Sequence, residues 1–475
     1  MRARVTLIAV SALALSACVA GPAPEIATPT PELPKAFFHA PDQAQQAALA
    51  ALMPSEDPAY RTLVEQAEAE GPSLAEALAR VEAARAGAAR AGAERLPQIG
   101  ADGSVSRSRT NPAQFSANLP PNIRIDTERT SFAANLTARW DADLFGVLKA
   151  SERAALARLD AASASAQAVR LALLSEVAGS VIDWRTLKRR EAALKQDESA
   201  AARLAELAGK REAAGIAPGF DRVRAEAAAS QSRSRIAALA SEESRIIGRL
   251  VALTALDAAA VKQALVQPGP EDWSGAPPAA LPSDLLANRP DIARAEAELA
   301  ASDADLAAAA RKRFPRLTLS AALGLLSFNL SDLFDSNSVV GSAGAGLVAP
   351  LLDFGRIEAE IDAAAANKRA AFAAYRGAVF NALGDAEASY GLVAASDAEA
   401  LAAREELARL QRAADLAETR YRAGLADFLT VLEARRAADG SRERAAAAQG
   451  RAQRARVLLW QSLGGDQPNM RSTSQ

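Results

Sequence analysis

The sequence predicts a mainly α-helical protein that also contains a membrane β-barrel, with two similar halves in one chain. Half of the 475 residues are apolar but only 4% are aromatic, and alanine dominates. This composition favours long helices over a compact globular core. The 23 prolines leave long gaps in which helices can continue, because an interior proline costs a helix about 3 kcal/mol. Two motifs also recur 209 residues apart, which indicates an internal duplication.

The N-terminal residues 1–17 predict a signal peptide. Two arginines precede an apolar run at 5–15, which is too short to cross a bilayer as a helix. The run ends in Leu-Ser-Ala-Cys18, which resembles the lipobox of bacterial lipoproteins, in which the cysteine is acylated after cleavage. Cys18 is the only cysteine of the chain, so we expect it to carry the lipid. The alternative is a cleavage site beside an incidental cysteine. Residues 18–72 then form a lipidated tether and an equatorial segment.

Residues 73–267 form the first repeat, in which a helix precedes two barrel strands and a long helix pair. The segment 132–140 alternates between apolar and polar side chains, and this period of two predicts a strand with one face of each kind. Its expected partner, 99–109, alternates less cleanly. The segment from 145 to about 211 lacks proline and predicts a helix on the order of 100 Å long at 1.5 Å per residue.

A proline-rich linker at 268–289 leads to the second repeat at 290–467, and residues 468–475 form a tail. Strands are predicted at 317–325 and 339–348. A second long helix is predicted from 355 to about 422. Its apolar residues recur at steps of three and four, which predicts a seam for another helix: Phe372, Tyr375, Val379, Leu383, Ala386, Tyr390 and Val393.

The duplication is clearest at the ends of the two long helices. Phe-Gly146 precedes the first helix and Phe-Gly355 precedes the second, 209 residues later. The segment from Arg211 to Gly215 ends the first helix, and the segment from Arg420 to Gly424 ends the second at the same offset. We expect Gly215 and Gly424 to end their helices in the left-handed conformation, which glycine adopts without strain.

The number of strands predicts the number of chains. Four strands cannot close into a barrel, and open strand edges cannot lie in lipid. Two chains would supply eight strands, which make a barrel normally filled by its own side chains. Three chains would supply twelve, which is wide enough for a conduit. The geometry therefore favours a homotrimer.

The side chains that carry most enzyme chemistry are nearly absent. The chain has one histidine, His39, and one cysteine, so a metal site, a Ser-His-Asp triad and a thiol redox pair are not expected. No phosphate-binding or dinucleotide-binding glycine motif is present. The net charge of −2 argues against nucleic acid as a partner. We expect no catalytic residues, no metal and no cofactor.

Four short motifs in the second half identify a family. They are Leu-Pro-Ser283, Asn288-Arg-Pro-Asp291, Ala-Glu296 and Phe314-Pro315. Together with the lipobox and the duplication, they resemble the NodT/OprM-type lipoprotein branch of the TolC-like outer-membrane efflux factors. The resemblance implies a TolC-like fold, in which a homotrimer forms a 12-stranded barrel in the outer membrane and an α-helical tunnel in the periplasm. The implied partners are a periplasmic adaptor protein, an inner-membrane RND-type transporter and outer-membrane lipid.

The resemblance also implies a gate at the periplasmic tip of the tunnel. The matching motif runs from Arg420 and Tyr421 through Gly424 and Asp427 to Leu429 and Glu433. Relatives carry a ring of acids near the position of Glu433 and an apolar ring at that of Leu429. Arg420 and Tyr421 would latch neighbouring helices through bonds that break on opening. The alternative for Glu433 is an ordinary solvated helix carboxylate.

A function of another class fits part of the sequence. A periplasmic helical-hairpin adaptor lipoprotein would account for the long helices and the lipid anchor, but not for four membrane-type strands in duplicate. An enzyme has no supporting group of residues.

Overall fold

The computed structural model describes residues 24–41, 49–111, 128–270, 273, 275–280 and 282–466. The predicted signal peptide, Cys18 and the tail at 468–475 lie outside the described residues. The chain divides into two compact units. Among the described residues, unit 1 contains those within 24–29, 82–161 and 296–374, and unit 2 contains those within 30–81, 162–295 and 375–466. Each unit therefore takes segments from both halves of the sequence.

Both halves contain the predicted succession of a helix, two strands, a long helix and a second helix. The first half forms α1 (Pro58–Glu70), α2 (Pro72–Ala93), β1 (Gln98–Arg109), β2 (Glu128–Asp141), α3 (Val147–Ala213), α4 (Gly219–Thr254) and α5 (Ala258–Val266). The second half forms α6 (Pro282–Asn288), α7 (Pro290–Arg311), β3 (Arg316–Ser327), β4 (Val339–Val348), α8 (Arg356–Arg422) and α9 (Phe428–Ser462). None of the described helices combines the length and apolar character needed to cross a membrane.

The two long helices confirm the predicted duplication. Helices α3 and α8 each contain 67 residues, and α8 begins and ends 209 positions after α3. Gly146 and Gly355 precede them with φ of 76° and 87°, a backbone conformation that strains side-chain-bearing residues. The carboxylates of Asp143 and Asp353 accept hydrogen bonds from helical N–H groups in the first turn of each helix, both at 2.9 Å. Local sequence therefore fixes both starting points.

The four predicted strands form one antiparallel sheet in the order β1-β2-β3-β4, within unit 1. Its register brings the apolar positions of neighbouring strands together. Leu136 of β2 lies opposite Leu323 of β3, and Trp140 lies opposite Leu319. Because alternate residues of a strand point to opposite faces, this register gives the sheet one apolar and one polar face.

Unit 2 is built around a buried core between helices. Trp184, Leu250, Leu265 and Tyr390 are among its fully buried side chains. Tyr390 belongs to the predicted seam of α8, and its hydroxyl donates a hydrogen bond to the carbonyl oxygen of Pro278 at 2.7 Å. The other seam residues in this core are buried or partly buried, which confirms the predicted helix-packing face: Tyr375, Val379, Leu383, Ala386 and Val393.

The Asn288-Arg-Pro-Asp motif has a structural role in unit 2. Pro290 is the first residue of α7, where its missing N–H is not needed. The Arg289 guanidinium donates to Asp291 at 2.7 Å, to Asp385 of α8 at 3.1 Å and to the carbonyl oxygen of Ser462 at 2.9 Å. The arginine thus joins the start of α7 to α8 and to the end of α9.

Candidate functional site

The polar face of the sheet carries hydrogen-bonding side chains and a few charges, interspersed with small or apolar residues such as Leu326. The Asn135 side chain donates to Asp102 at 3.1 Å, and the hydroxyls of Ser106 and Ser131 lie 2.8 Å apart. In each cross-strand pair, the two side chains satisfy each other's hydrogen-bonding groups. Such a face suits contact with water.

The opposite face of the same sheet is apolar and uncovered. Ile99, Leu136, Leu323 and Leu347 each expose between 53% and 70% of their surface. A soluble protein rarely leaves so continuous an apolar surface in water. This face therefore fits a lipid environment, as expected for a membrane barrel.

The turns after the two long helices have the same backbone geometry. Gly215 and Gly424 have φ of 71° and 75°. The N–H of Ile216 donates to the carbonyl oxygen of Arg211 at 2.9 Å, and the N–H of Leu425 donates to that of Arg420 at 2.8 Å. These bonds over five residues, with glycine in the left-handed conformation, satisfy the last carbonyl groups of each helix.

Asp427, Leu429 and Glu433 follow the second turn. Asp427 caps α9, because its carboxylate accepts the N–H of Thr430 at 2.7 Å. That hydrogen bond holds the pKa of Asp427 below its ordinary value. Leu429 and Glu433 are exposed and lie one helical turn apart on the same side of α9. The structure therefore separates a capping residue from two residues that share an exposed face.

Arg420 and Tyr421 have different environments although they are adjacent. Tyr421 is buried, and the Arg211 guanidinium lies 4.5 Å from the centre of its ring. Arg211 also donates to the carbonyl oxygen of Tyr421 at 3.3 Å. The Arg420 side chain is exposed, and no described residue forms an ion pair or hydrogen bond with it. Within one chain, Tyr421 contacts Arg211 of the first repeat, whereas Arg420 forms no polar contact with a described residue.

The comparisons with known proteins identify the family. A family model described as "Outer membrane efflux protein" matches residues 63–256 and 281–465. The chain belongs to this family. Its sheet with two unlike faces and its paired long helices have the TolC-like fold of that family's channels, as predicted.

Individual relatives cover most of the chain. The pyoverdine export outer membrane protein OpmQ of Pseudomonas aeruginosa is 33% identical over 86% of this chain and 85% of its own length. Outer membrane protein OprJ of the same organism is 32% identical over 86% and 84%. The crystal structure of a membrane protein from Pseudomonas aeruginosa matches with a TM-score of 0.82 at 28% identity, covering 93% of this chain and 99% of that one.

Membership in the outer membrane efflux protein family decides between the predicted functions. The chain is an outer-membrane channel component of an efflux system, and the adaptor alternative is not supported. Members of the family are efflux channels rather than enzymes. Among the described residues, no cluster of histidine, cysteine, aspartate or glutamate is arranged to hold a metal ion.

Several polar contacts near the second turn of this efflux protein were not predicted from the sequence. The guanidinium of Arg435 on α9 bonds to Glu418 on α8 and lies 3.4 Å from Asp415. Burial alone would raise the pKa of Glu418, but the hydrogen bond and charge of Arg435 outweigh it and hold the pKa below its ordinary value. The Arg211 contact could have been sought from the duplication, which places Arg211 and Arg420 at equivalent positions.

Proposed function

We propose that three copies of this chain form a passive export duct whose twelve-stranded barrel lies in the outer membrane. The sheet carries this proposal. It has an apolar face for lipid and a polar face for a water-filled lumen, and the outer edges of β1 and β4 have no partner among the described strands. Because the four strands alternate in direction, β4 of one copy can pair with β1 of the next and continue the antiparallel order. Closure removes the unpaired edges that lipid cannot satisfy.

Native mass spectrometry of the detergent-extracted protein tests the assembly. The expected species contains three chains. A stable monomer that fractionates with soluble proteins after Cys18→Ala substitution would contradict the barrel, since a monomer leaves the strand edges and the apolar face uncovered.

The second part of the proposal is a lipid anchor at Cys18. We expect Cys18→Ala to abolish labelling with radioactive palmitate but to leave protein inserted in the outer membrane. The reason is that the barrel buries far more apolar surface than acyl chains do. Unchanged labelling of the variant would show that the lipid is attached elsewhere.

The third part is a gate at the second turn. Leu429 and Glu433 share an exposed face of α9, so a threefold axis beside that face would stack a ring of leucines next to a ring of carboxylates. The leucines would close the duct by excluding water. The carboxylates would repel anions and attract cations. Opening would break contacts that Arg420 makes with neighbouring helices. Tyr421 and Asp427 would maintain the conformation of the turn.

Single-channel recording in planar bilayers tests the gate. Replacing both Leu429 and Glu433 with alanine should raise conductance about twofold or more, because the dewetted constriction is lost. The matched control replaces Leu401 and Glu405, an exposed leucine and glutamate with the same spacing on α8. Equal increases in the two variants would place the constriction elsewhere.

The partners of the duct would be a periplasmic adaptor and an inner-membrane RND-type transporter, and the chain itself would catalyse nothing. Ile216 and Leu425 occupy equivalent positions just after the two glycines, and both are largely exposed. This repeated apolar pair suits docking of an adaptor. Replacing both with aspartate should reduce export in cells that contain the pump without changing the mass of the trimer. Normal export by the variant would show that Ile216 and Leu425 are not part of the docking surface.

A further inference from the structure

Two arginines stand at one end of the apolar face of the sheet. Arg107 lies opposite Thr130, and Arg109 lies opposite Glu128. Because alternate residues of a strand share a face, both arginines are on the side of Ile99 rather than on the polar side. Guanidinium groups therefore bound the apolar face at this end.

The connections of the strands show which end of the sheet this is. Helix α2 precedes β1, α3 follows β2, α7 precedes β3 and α8 follows β4, so all four helical connections leave from one end. Arg109 and Glu128 lie at the opposite end, where β1 ends and β2 begins. In the barrel proposed above, whose helices lie in the periplasm, this end faces the outside of the cell.

The two ends of the apolar face differ in chemistry. Trp140 stands on this face at the helical end, opposite Leu319, and its indole N–H donates to the carbonyl oxygen of Arg95 at 2.8 Å. Thr130, the partner of Arg107, lies about 26 Å from Trp140 along the barrel axis, at roughly 3.4 Å per residue and a strand tilt of about 40°. The apolar band of outer-membrane barrels is about 25 Å tall. Trp140 and Arg107 thus mark the inner and outer boundaries of one band.

The two arginines give the outer boundary a positive charge. Nη2 of Arg107 lies 2.6 Å from one carboxylate oxygen of Glu128, and Nη1 of Arg109 lies 3.6 Å from the other. Glu128 is the only carboxylate among the described residues that pairs with either arginine. The arginine side chains are 73% and 79% exposed, so their remaining N–H groups are accessible to a further anion.

The second strand pair does not repeat this feature. Its outer end places Leu325 opposite Val339 on the apolar face, and residues 327–339 contain two aspartates but no lysine or arginine. Arg129 lies at the same level as Arg109 but on the polar face, opposite Ser108. Among the described outer strand ends, arginines on the apolar face therefore occur only in the first pair.

We infer that Arg107 and Arg109 bind the phosphate group of a lipid in the outer leaflet of the membrane. This site depends on the barrel and the trimer proposed above, which carries three copies of it. The planar donors of arginine match phosphate oxygens in pairs. The acyl chains of the same lipid lie against Val105, Phe132 and Leu136, which continue the apolar face towards the helices. A soluble anion gains only the polar half of this contact, so the surface favours a phosphorylated lipid.

Native mass spectrometry with an added lipid tests the site. The probe is diphosphorylated lipid A, added in a concentration series to the detergent-extracted protein, and the lipid retained per trimer is measured. Arg107→Gln combined with Arg109→Gln should weaken retention about tenfold, because charge-assisted hydrogen bonds to the phosphate are lost. Glu128→Gln should strengthen retention, because it removes the carboxylate that competes for both guanidinium groups. Weaker retention by Glu128→Gln would contradict this role of the arginines.

The matched control removes two exposed arginines from the polar face of the same sheet. Arg129→Gln combined with Arg139→Gln should leave retention unchanged. Loss of retention in this control, with normal retention in the Arg107 and Arg109 variant, would overturn the site and the assignment of the two faces together.

The chemistry of the probe separates a lipid from a free anion. Lipid A without phosphate groups should be retained equally by the parent and by the variant of Arg107 and Arg109. A tenfold excess of inorganic phosphate over the probe should not displace diphosphorylated lipid A. Displacement by phosphate would overturn the assignment to a lipid. Absence of a trimer in the unmodified protein would overturn the proposed assembly, whereas a trimer that retains the probe equally with and without the two arginines would overturn this site alone.

Discussion

Apolar side chains are largely exposed on one face of the sheet in unit 1, whereas they are buried in the helical core of unit 2. In the sheet, leucines and an isoleucine align on one face and remain mostly exposed. In the core of unit 2, Trp184, Leu250 and Tyr390 are sealed among helices, with the Tyr390 hydroxyl hydrogen-bonded. The helical core is complete within one chain and suits water outside it. The sheet is incomplete and suits a surrounding that is itself apolar.

This difference shows where each part obtains its stability. Burial of apolar area against other side chains stabilises the helical unit directly, at roughly 25 cal/mol per Å². The sheet gains the same kind of stabilisation only when lipid and neighbouring strands cover it. The effect of a substitution on stability should therefore depend on which face it alters in the sheet, and on the size of the cavity it leaves in the core.

The largest effect is expected from Leu323→Arg on the apolar face of β3. In the proposed barrel, an arginine near the middle of the lipid-facing band would cost about 2–4 kcal/mol in each chain, and the proposed trimer would carry three copies. The outer-membrane fraction should contain little or no assembled trimer. Ala322→Arg is the matched control, since Ala322 is the adjacent residue and lies on the polar face opposite Thr137. If both variants assemble equally, the assignment of the two faces is wrong.

Leu250→Ala in the helical core should be the next most severe change. Leu250 is fully buried, and a leucine-to-alanine cavity costs about 2–5 kcal/mol of unfolding free energy. Thermal denaturation of the purified protein should show a clear decrease in Tm while membrane insertion persists. The exposed Leu401 provides the control, because Leu401→Ala should change stability by no more than about 0.5 kcal/mol. Equal losses would mean that the core is not where the structure places it.

Unit 2 also encloses a buried charge cluster. Asp197 of α3 is 1% exposed, and one of its oxygens is bonded by Arg442 of α9. The other oxygen has no hydrogen-bond partner among the described residues. Burial first, and then the nearby Asp439 carboxylate, raise the pKa of Asp197 to about 7, against the attraction of Arg442 and of Arg235 on α4.

This raised pKa predicts a pH dependence of stability. The native state holds a proton that the unfolded chain releases near pH 4, so the stabilisation from this proton is lost as pH rises from about 4 to about 7. The slope in that window is on the order of 1 kcal/mol per pH unit. Asp197→Asn keeps the neutral form, so the Tm of this variant should match that of the unmodified protein below about pH 4 and exceed it by a growing margin up to about pH 7. Asp160→Asn, at an exposed site on the same helix, should show no such difference. A constant offset in Tm between the Asp197→Asn variant and its parent across this range would contradict the prediction.

The smallest expected effect concerns the turn glycines. Gly424→Ala forces a side chain into the left-handed conformation and should cost about 1 kcal/mol. Gly377→Ala, inside α8 with open space around the added carbon, should instead stabilise the helix by up to about 1 kcal/mol. Opposite shifts in Tm are expected. Shifts of the same sign would show that backbone conformation does not control this turn.

Much of the fold was predictable because it depends on local patterns. The proline-free, alanine-rich segments predicted both long helices, and the 209-residue offset predicted that their lengths are equal. Alternation predicted the strands, and the pairing of Leu136 with Leu323 explains why the apolar faces of β2 and β3 coincide. These features require only that each segment satisfies its own backbone and places its apolar residues at one periodicity.

The candidate site was predictable only in part. The sequence located the second turn and placed Leu429 and Glu433 on one side of α9, since four residues make about one helical turn. It did not indicate that Arg211 contacts Tyr421, because these residues are far apart in the chain and periodicity carries no information about which helices are neighbours. The paired Asp197 and Arg442 escaped prediction for the same reason.

The sequence by itself determined the elements, their duplication and the family, since helix ends, strand alternation and turn glycines are encoded within a few residues of one another. The tertiary structure decided which of two equivalent residues is buried. Phe428 packs against a surface of α3 and is 4% exposed, whereas Phe220 remains 59% exposed, although both follow a similar turn. Burial depends on what the fold brings alongside a side chain, and that neighbour is set by packing over the whole chain rather than by local sequence.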